Sequence, residues 1–215
     1  MIHIGPHKLY ATLQRDINWA AKHNYQIFFE GVKKNPSREV LTRNEGKIKE
    51  FFLFLFDLYP FFGAAFGVSF QRDKIAYPKD AINADITFAD LTRRLDENGF
   101  KCSLLLLPLE FLGREELKRK IHEGFKKKGG WNAFINNSEK WTLGRFLARF
   151  LFRKATPVLL DYRNEVAVAK IQECSDGRNI FIHYGEKHVK GLVDLLRRDG
   201  WIVKEMSDTD LAEYC

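Results

Sequence analysis

Two histidines and a carboxylate, each beside an apolar run, are the residues of this sequence best suited to chemistry. His188 follows Gly185 in NIFIHYGEKHVKG (Asn179–Gly191), where the run Ile180–Tyr184 ends in a glycine turn. His3 stands in the opening IHIGPH, and Glu30 closes the run QIFFEGV. Two imidazoles and a carboxylate suit an open-sided divalent ion, and manganese, cobalt and zinc are not separated by such ligands. An ion of that kind makes a nucleophile of water, so no serine or cysteine is required. Taken singly, His3, His7, His183 and His188 are more often structural. Glu30 says more, because a carboxylate at the end of an apolar run must reach water or a partner. Arg163 opens a helix after Leu159–Asp161. It could hold Glu30, orient a substrate carboxylate or steady a developing oxyanion, with a fold-stabilising ion pair as an equal alternative. No GxSxG, Walker A or GxGxxG pattern competes with a metal-dependent reading.

The elements that must position these residues follow from periodicity. Lys8–Asn24 has helical spacing, and Gln26–Val32 is rich in strand formers, so Met1–Val32 is expected to be a strand–helix–strand unit with a right-handed crossover. Ser37 is expected to cap a helix over Glu39–Leu58 that breaks at Tyr59–Gly67, with Val68–Tyr77 extended, Asp80–Ala84 a turn and Thr87–Asn98 a helix. Ser103–Leu107 reads as a strand or, by context, a buried helix segment, Glu115–Lys127 and Lys140–Lys154 as helices, and Pro157–Asp161 as a short strand or helix approach. Helices are expected at Arg163–Glu173 and His188–Arg198, and strands at Ile180–Tyr184 and Trp201–Val203. The fold class expected is α/β: a central, mostly parallel sheet flanked by helices, one domain over residues 1–215 with a largely helical insertion at about 37–156 between its two halves. Parallel strands bring their carboxyl ends together, so His3, Glu30 and His188 can meet across long stretches of chain.

Composition narrows the classes. With 215 residues, 45% hydrophobic, the chain can bury one substantial core. The net charge of +7 comes mainly from mixed-sign helices, and Lys126–Lys128 reads as a solvated helix end, so nucleic acid is disfavoured as a partner. Three cysteines, an odd number without a CxxC, argue for reduced thiols in a cytoplasmic protein, and no secretory leader is expected at Met1. Phe51–Phe70 has the length of a membrane span, but Asp57 and Pro60 divide it, so a buried helix end, a turn and a strand are expected. A docking patch there, for a protein or a membrane surface, stays open.

Several stretches together resemble the TraB/Tiki family, part of a wider group with erythromycin-esterase-like and ChaN-like proteins. In the family's order they are IHIGP, FFEGV, FQRDKIAYPKDAINADITFADL, DYRNEVAVAKI and HYGEKHVKGLVDLLRRDGW. The last resembles the family's GxxH followed by a glycine and a leucine-rich helix, through Gly185, His188 and Gly191. The resemblance implies a divalent-metal-dependent hydrolase, peptidase-like, acting on a peptide or small-molecule substrate. It implies His3 and His188 as metal ligands, Glu30 as ligand or general base, and Arg163 as the site arginine, with Asp85 and Gln71 shaping the pocket. His7, through Gly5-Pro6-His7, is the weaker match to the first motif. The family's first motif also has a glycine three residues before its histidine, which the sequence ahead of His3 does not hold. The alternative implied is a catalytically impaired binding module for a protein, membrane or anionic partner.

Overall fold

The run QIFF, buried or half-buried at every position, behaves as a central strand covered on both faces. The computed structural model describes residues 4–5, 7–34, 41–66, 69–102, 113, 115–116, 119–120, 123 and 152–202. In chain order its elements are β1 (Ile4–Gly5), α1 (His7–Lys22), β2 (Gln26–Phe29), α2 (Arg43–Phe66), β3 (Ser69–Phe70), α3 (Gln71–Lys74), β4 (Ile82–Asn83), α4 (Phe88–Glu97), a π-helical turn (Pro157–Tyr162), α5 (Arg163–Cys174), β5 (Ile180–His183) and α6 (Glu186–Arg198). The chain divides into two compact units, one of Met1–Arg38, Ser69–Leu91 and Pro157–Cys215, the other of Glu39–Val68 and Thr92–Thr156.

In the first unit β2 lies between β4 and β5, and both pairings are parallel. Alternation along β2 sends successive side chains to opposite faces. Ile27 packs with Tyr10, Ile17 and Ala20 of α1 and with Ile75. Phe28 packs with Ala167, Val168 and Ile171 of α5 and with Leu192 and Leu196 of α6. The spacing of these helical residues, three or four apart, puts each set on one helix face. The class is therefore α/β, a parallel sheet flanked by helices, and the stretch between β2 and β5 is largely helical among the described residues. β4 and β5 flank β2 on opposite sides and run parallel to it, so the carboxyl ends of all three strands lie along one edge of the sheet.

Several local expectations are corrected. β1 does not lie parallel to β2; it pairs antiparallel with β3, Ile4 opposite Phe70, in a separate two-stranded sheet. Val68–Tyr77 is not a long extended run, since α3 follows β3 directly. The stretch read as a turn at Asp80–Ala84 supplies β4, a strand too short to show alternation. Trp201 and Ile202 form no strand, and Ile202 is exposed. Pro157–Asp161 is part of the π-helical turn that runs into α5. The expected helices at Ser103–Leu107 and Lys140–Lys154, the Lys126–Lys128 run and most of Glu115–Lys127 lie outside the described residues.

The second unit corrects the Phe-rich stretch. α2 continues through Pro60 to Phe66 instead of breaking at Tyr59. A proline removes one backbone hydrogen bond, while Ile48, Phe51, Phe52 and Phe54 bury apolar surface earlier in the helix, so the loss is local. Its start is fixed by a capping box at Thr42: the Glu45 amide donates to Thr42 Oγ1 at 3.1 Å and the Thr42 amide to Glu45 Oε2 at 2.6 Å. Among the described residues no helix is long and apolar enough to cross a membrane.

Candidate functional site

Three residues just past the parallel strands begin the site. Glu30 follows β2, Asp85 lies two residues past β4, and Gly185 lies two past β5, all at carboxyl ends. Two helix starts complete it. Arg163 is the first residue of α5, and His188 lies in the first turn of α6, on the same stripe as Leu192 and Leu196. That stripe faces the sheet, which is why His188 is fully buried.

Arg163 binds both carboxylates. Its Nε donates to Asp85 Oδ1 at 2.9 Å, and its Nη2 to Asp85 Oδ2 at 2.5 Å and to Glu30 Oε1 at 2.7 Å. Nη1 makes a longer contact, 3.4 Å, to the carbonyl of Leu159 in the π-helical turn. Asp85 also accepts the amides of Gly31 and Ile86, at 3.0 and 2.8 Å. Glu30 Oε2 accepts the Gly185 amide at 2.7 Å, which ties the end of β2 to the turn after β5. Burial pulls against the charged guanidinium, but the hydrogen bond and charge of Asp85, with those of Glu30, outweigh it and raise the pKa of Arg163. The side chains of Arg163, Glu30, Asp85 and His188 are 4, 1, 0 and 0% exposed, so the cluster is closed to bulk solvent.

His188 is held differently. Its Nδ1 lies 2.6 Å from Asn164 Oδ1, so that nitrogen donates and Nε2 is left as the acceptor. Nε2 lies 3.4 Å from Glu30 Oε1 and has no hydrogen-bond partner. The neighbouring Tyr184 ring meets the His188 ring edge-on, centroids 5.7 Å apart, and Tyr184 Oη is likewise buried without a partner. Burial, then the charges of Asp85 and Glu30, raise the pKa of Tyr184 and keep its phenol neutral. Gly191 has a packing reason: a Cβ there would collide with Asn164 Nδ2, the side chain that orients His188.

No family model, curated protein or solved structure matches the chain.

Of the residues singled out by sequence, Glu30, Arg163 and His188 come together, and Asp85 joins them as the second carboxylate on Arg163. His3 lies outside the described residues, and His7 belongs to α1. Gln71 stands apart from the cluster and donates to Tyr77 Oη at 3.3 Å; Tyr77 in turn lies 2.7 Å from His183 Nδ1. Burial, and beyond it the charge of Glu30, push the pKa of Tyr77 up to about 12. Asn164 and Tyr184 were missed by sequence reasoning. Asn164 had a readable signal, since it directly follows Arg163 in DYRNEV. Tyr184 had none beyond its place next to Gly185.

Among the described residues no group of three His, Cys, Asp or Glu side chains forms a metal-holding set. Two donors do suit a divalent ion. An imidazole Nε2 with no partner, facing a carboxylate oxygen, sets two acceptors against each other, an arrangement that a cation between them would relieve. Asn164 behind the imidazole is the kind of outer support that metal-binding histidines carry. Asp85 does not suit the role, because both its oxygens serve Arg163 and backbone amides.

Proposed function

We propose that this chain is a divalent-metal-dependent hydrolase, TraB/Tiki-like, that cleaves a peptide or small-molecule carbonyl substrate with activated water. The observation that carries the reading is His188 Nε2, fully buried, unpartnered and 3.4 Å from Glu30 Oε1 at the carboxyl ends of a parallel sheet. In this reading His188 Nε2 and Glu30 hold the ion, and His3 is the further ligand expected from the sequence resemblance. A divalent ion held there would acidify water and polarise a carbonyl.

The protein's own groups have separable tasks. Asn164 fixes the His188 tautomer and aims Nε2 at Glu30. The Gly185 amide and Arg163 hold Glu30 oriented, ready to serve as ligand or to take a proton from attacking water. Asp85 keeps Arg163 in place through a bidentate pair.

A second reading draws on the burial of the whole cluster. Arg163 bridging two enclosed carboxylates also serves a fold-stabilising network, which suits an impaired module that binds a protein, membrane or anionic partner. The test is metal content and manganese-, cobalt- or zinc-restored hydrolysis of a peptide library and of simple esters, in wild type, Glu30→Gln and His188→Ala. Turnover in wild type that both substitutions abolish supports the hydrolase. Equal rates in all three proteins, or none in any, remove it.

A further inference from the structure

Tyr184 carries a hydroxyl that its packing does not use. The side chain belongs to an apolar cluster with Phe28, Ala84, Ala167, Val168 and Leu192, where a phenyl ring would pack as well. Yet Oη is buried with no hydrogen-bond partner, which costs the fold the desolvation of a polar group without return. An unsatisfied buried group in a native fold is explained by a catalytic role, a bound ion or water, or stored strain. The ring stands against His188, whose Nε2 is unpartnered as well, so two unsatisfied polar side chains lie side by side.

Carbonyl hydrolysis is speeded by a donor at the oxygen on which charge develops, beside any polarisation by an ion. Arg163 is poorly placed to provide it. Its Nε and both Nη2 hydrogens are committed to Asp85 and Glu30, and one Nη1 hydrogen contacts the Leu159 carbonyl, which leaves a single N–H. A phenol is protonated at neutral pH and therefore offers a neutral donor.

Resting on the hydrolase reading, we infer that the Tyr184 hydroxyl is the hydrogen-bond donor of this site, donating to the carbonyl oxygen of the peptide or ester bond being cleaved. Arg163 is then a positioning residue.

The experiment compares the full-length, manganese-loaded wild type with Tyr184→Phe and Tyr184→Met on a fluorogenic peptide library and p-nitrophenyl acetate. Thermal melting and calorimetric manganese titration are recorded for each protein. The expected result is a kcat lowered about a hundredfold in both variants, with KM changed far less, manganese affinity unchanged, and the melting temperature of Tyr184→Phe equal or higher. An active wild type matched by equally active variants overturns the Tyr184 inference and leaves the hydrolase standing. Tyr184→Phe losing activity together with melting temperature or metal affinity also overturns it, by showing the hydroxyl to be structural. A wild type without metal-dependent turnover overturns the hydrolase, and the role of Tyr184 with it.

Discussion

Arg163 and His188 approach the same atom, Glu30 Oε1, from two different helices, at 2.7 and 3.4 Å, and they use their hydrogen-bonding capacity in opposite ways. Arg163 spends three donors on carboxylates, and Asp85 beneath it is filled by the guanidinium and two backbone amides. The His188 ring makes one hydrogen bond, to Asn164, and its other nitrogen has none; the adjacent Tyr184 hydroxyl has none either. Burial is nearly complete in both halves, so exposure does not distinguish them. The difference is satisfaction. A saturated ionic network holds the strand ends in register, whereas unsatisfied polar atoms beside it are where a ligand gains most by binding.

Removing the saturated half should be the most damaging change. Arg163→Leu leaves Glu30 and Asp85 buried without their cation, a loss of about 3–5 kcal/mol by denaturant unfolding. A cost under about 1 kcal/mol would mean the network is not the scaffold, and the contrast with His188 would fail. Gly191→Ala comes next, since the added methyl must displace Asn164. A loss of about 1–3 kcal/mol is expected, with manganese affinity falling as His188 loses its orientation. Unchanged affinity in calorimetry would separate Asn164 from the unsatisfied half.

Alkaline titration gives a smaller effect. Tyr10 and Tyr77 are both raised from 10.0 to about 12, first of all by burial. Between those values the folded state keeps protons that the unfolded state has released, so this contribution is whole below pH 10 and is lost as pH rises toward about 12. Tyrosinate absorbance should therefore rise together with loss of the circular dichroism of the fold. Tyrosine ionisation completed near pH 10, with the fold intact, would contradict that burial.

Much of this cluster was legible in the sequence, for a physical reason. Glu30, Arg163 and His188 are charged or titratable groups next to apolar runs, and a buried run forces such neighbours to find partners. Partnership itself was not legible. That Arg163 would hold Glu30, out of three tasks open to it, depended on where Asp85 fell, and Asp85 depended on β4, whose two residues carry no periodic signal. The strands β2 and β5 and the helices that cover them were legible, as in Ile17 and Ala20 on α1, whereas β4 reads as a turn from sequence. The course of α2 through Pro60 was not legible, because burial over many residues outweighs one lost backbone hydrogen bond. β1 was misjudged for a related reason: two residues declare a strand but not its partner, and the partner was β3.

Calorimetric titration of manganese into wild type, Arg163→Lys and His188→Ala, with unfolding followed on the same samples, tests the central contrast most directly. The account predicts that wild type binds the ion, that His188→Ala loses binding by about 10–100-fold or more while still folding, and that Arg163→Lys loses stability first. Wild-type protein that takes up no divalent ion, or His188→Ala that binds it as tightly as wild type, would contradict it.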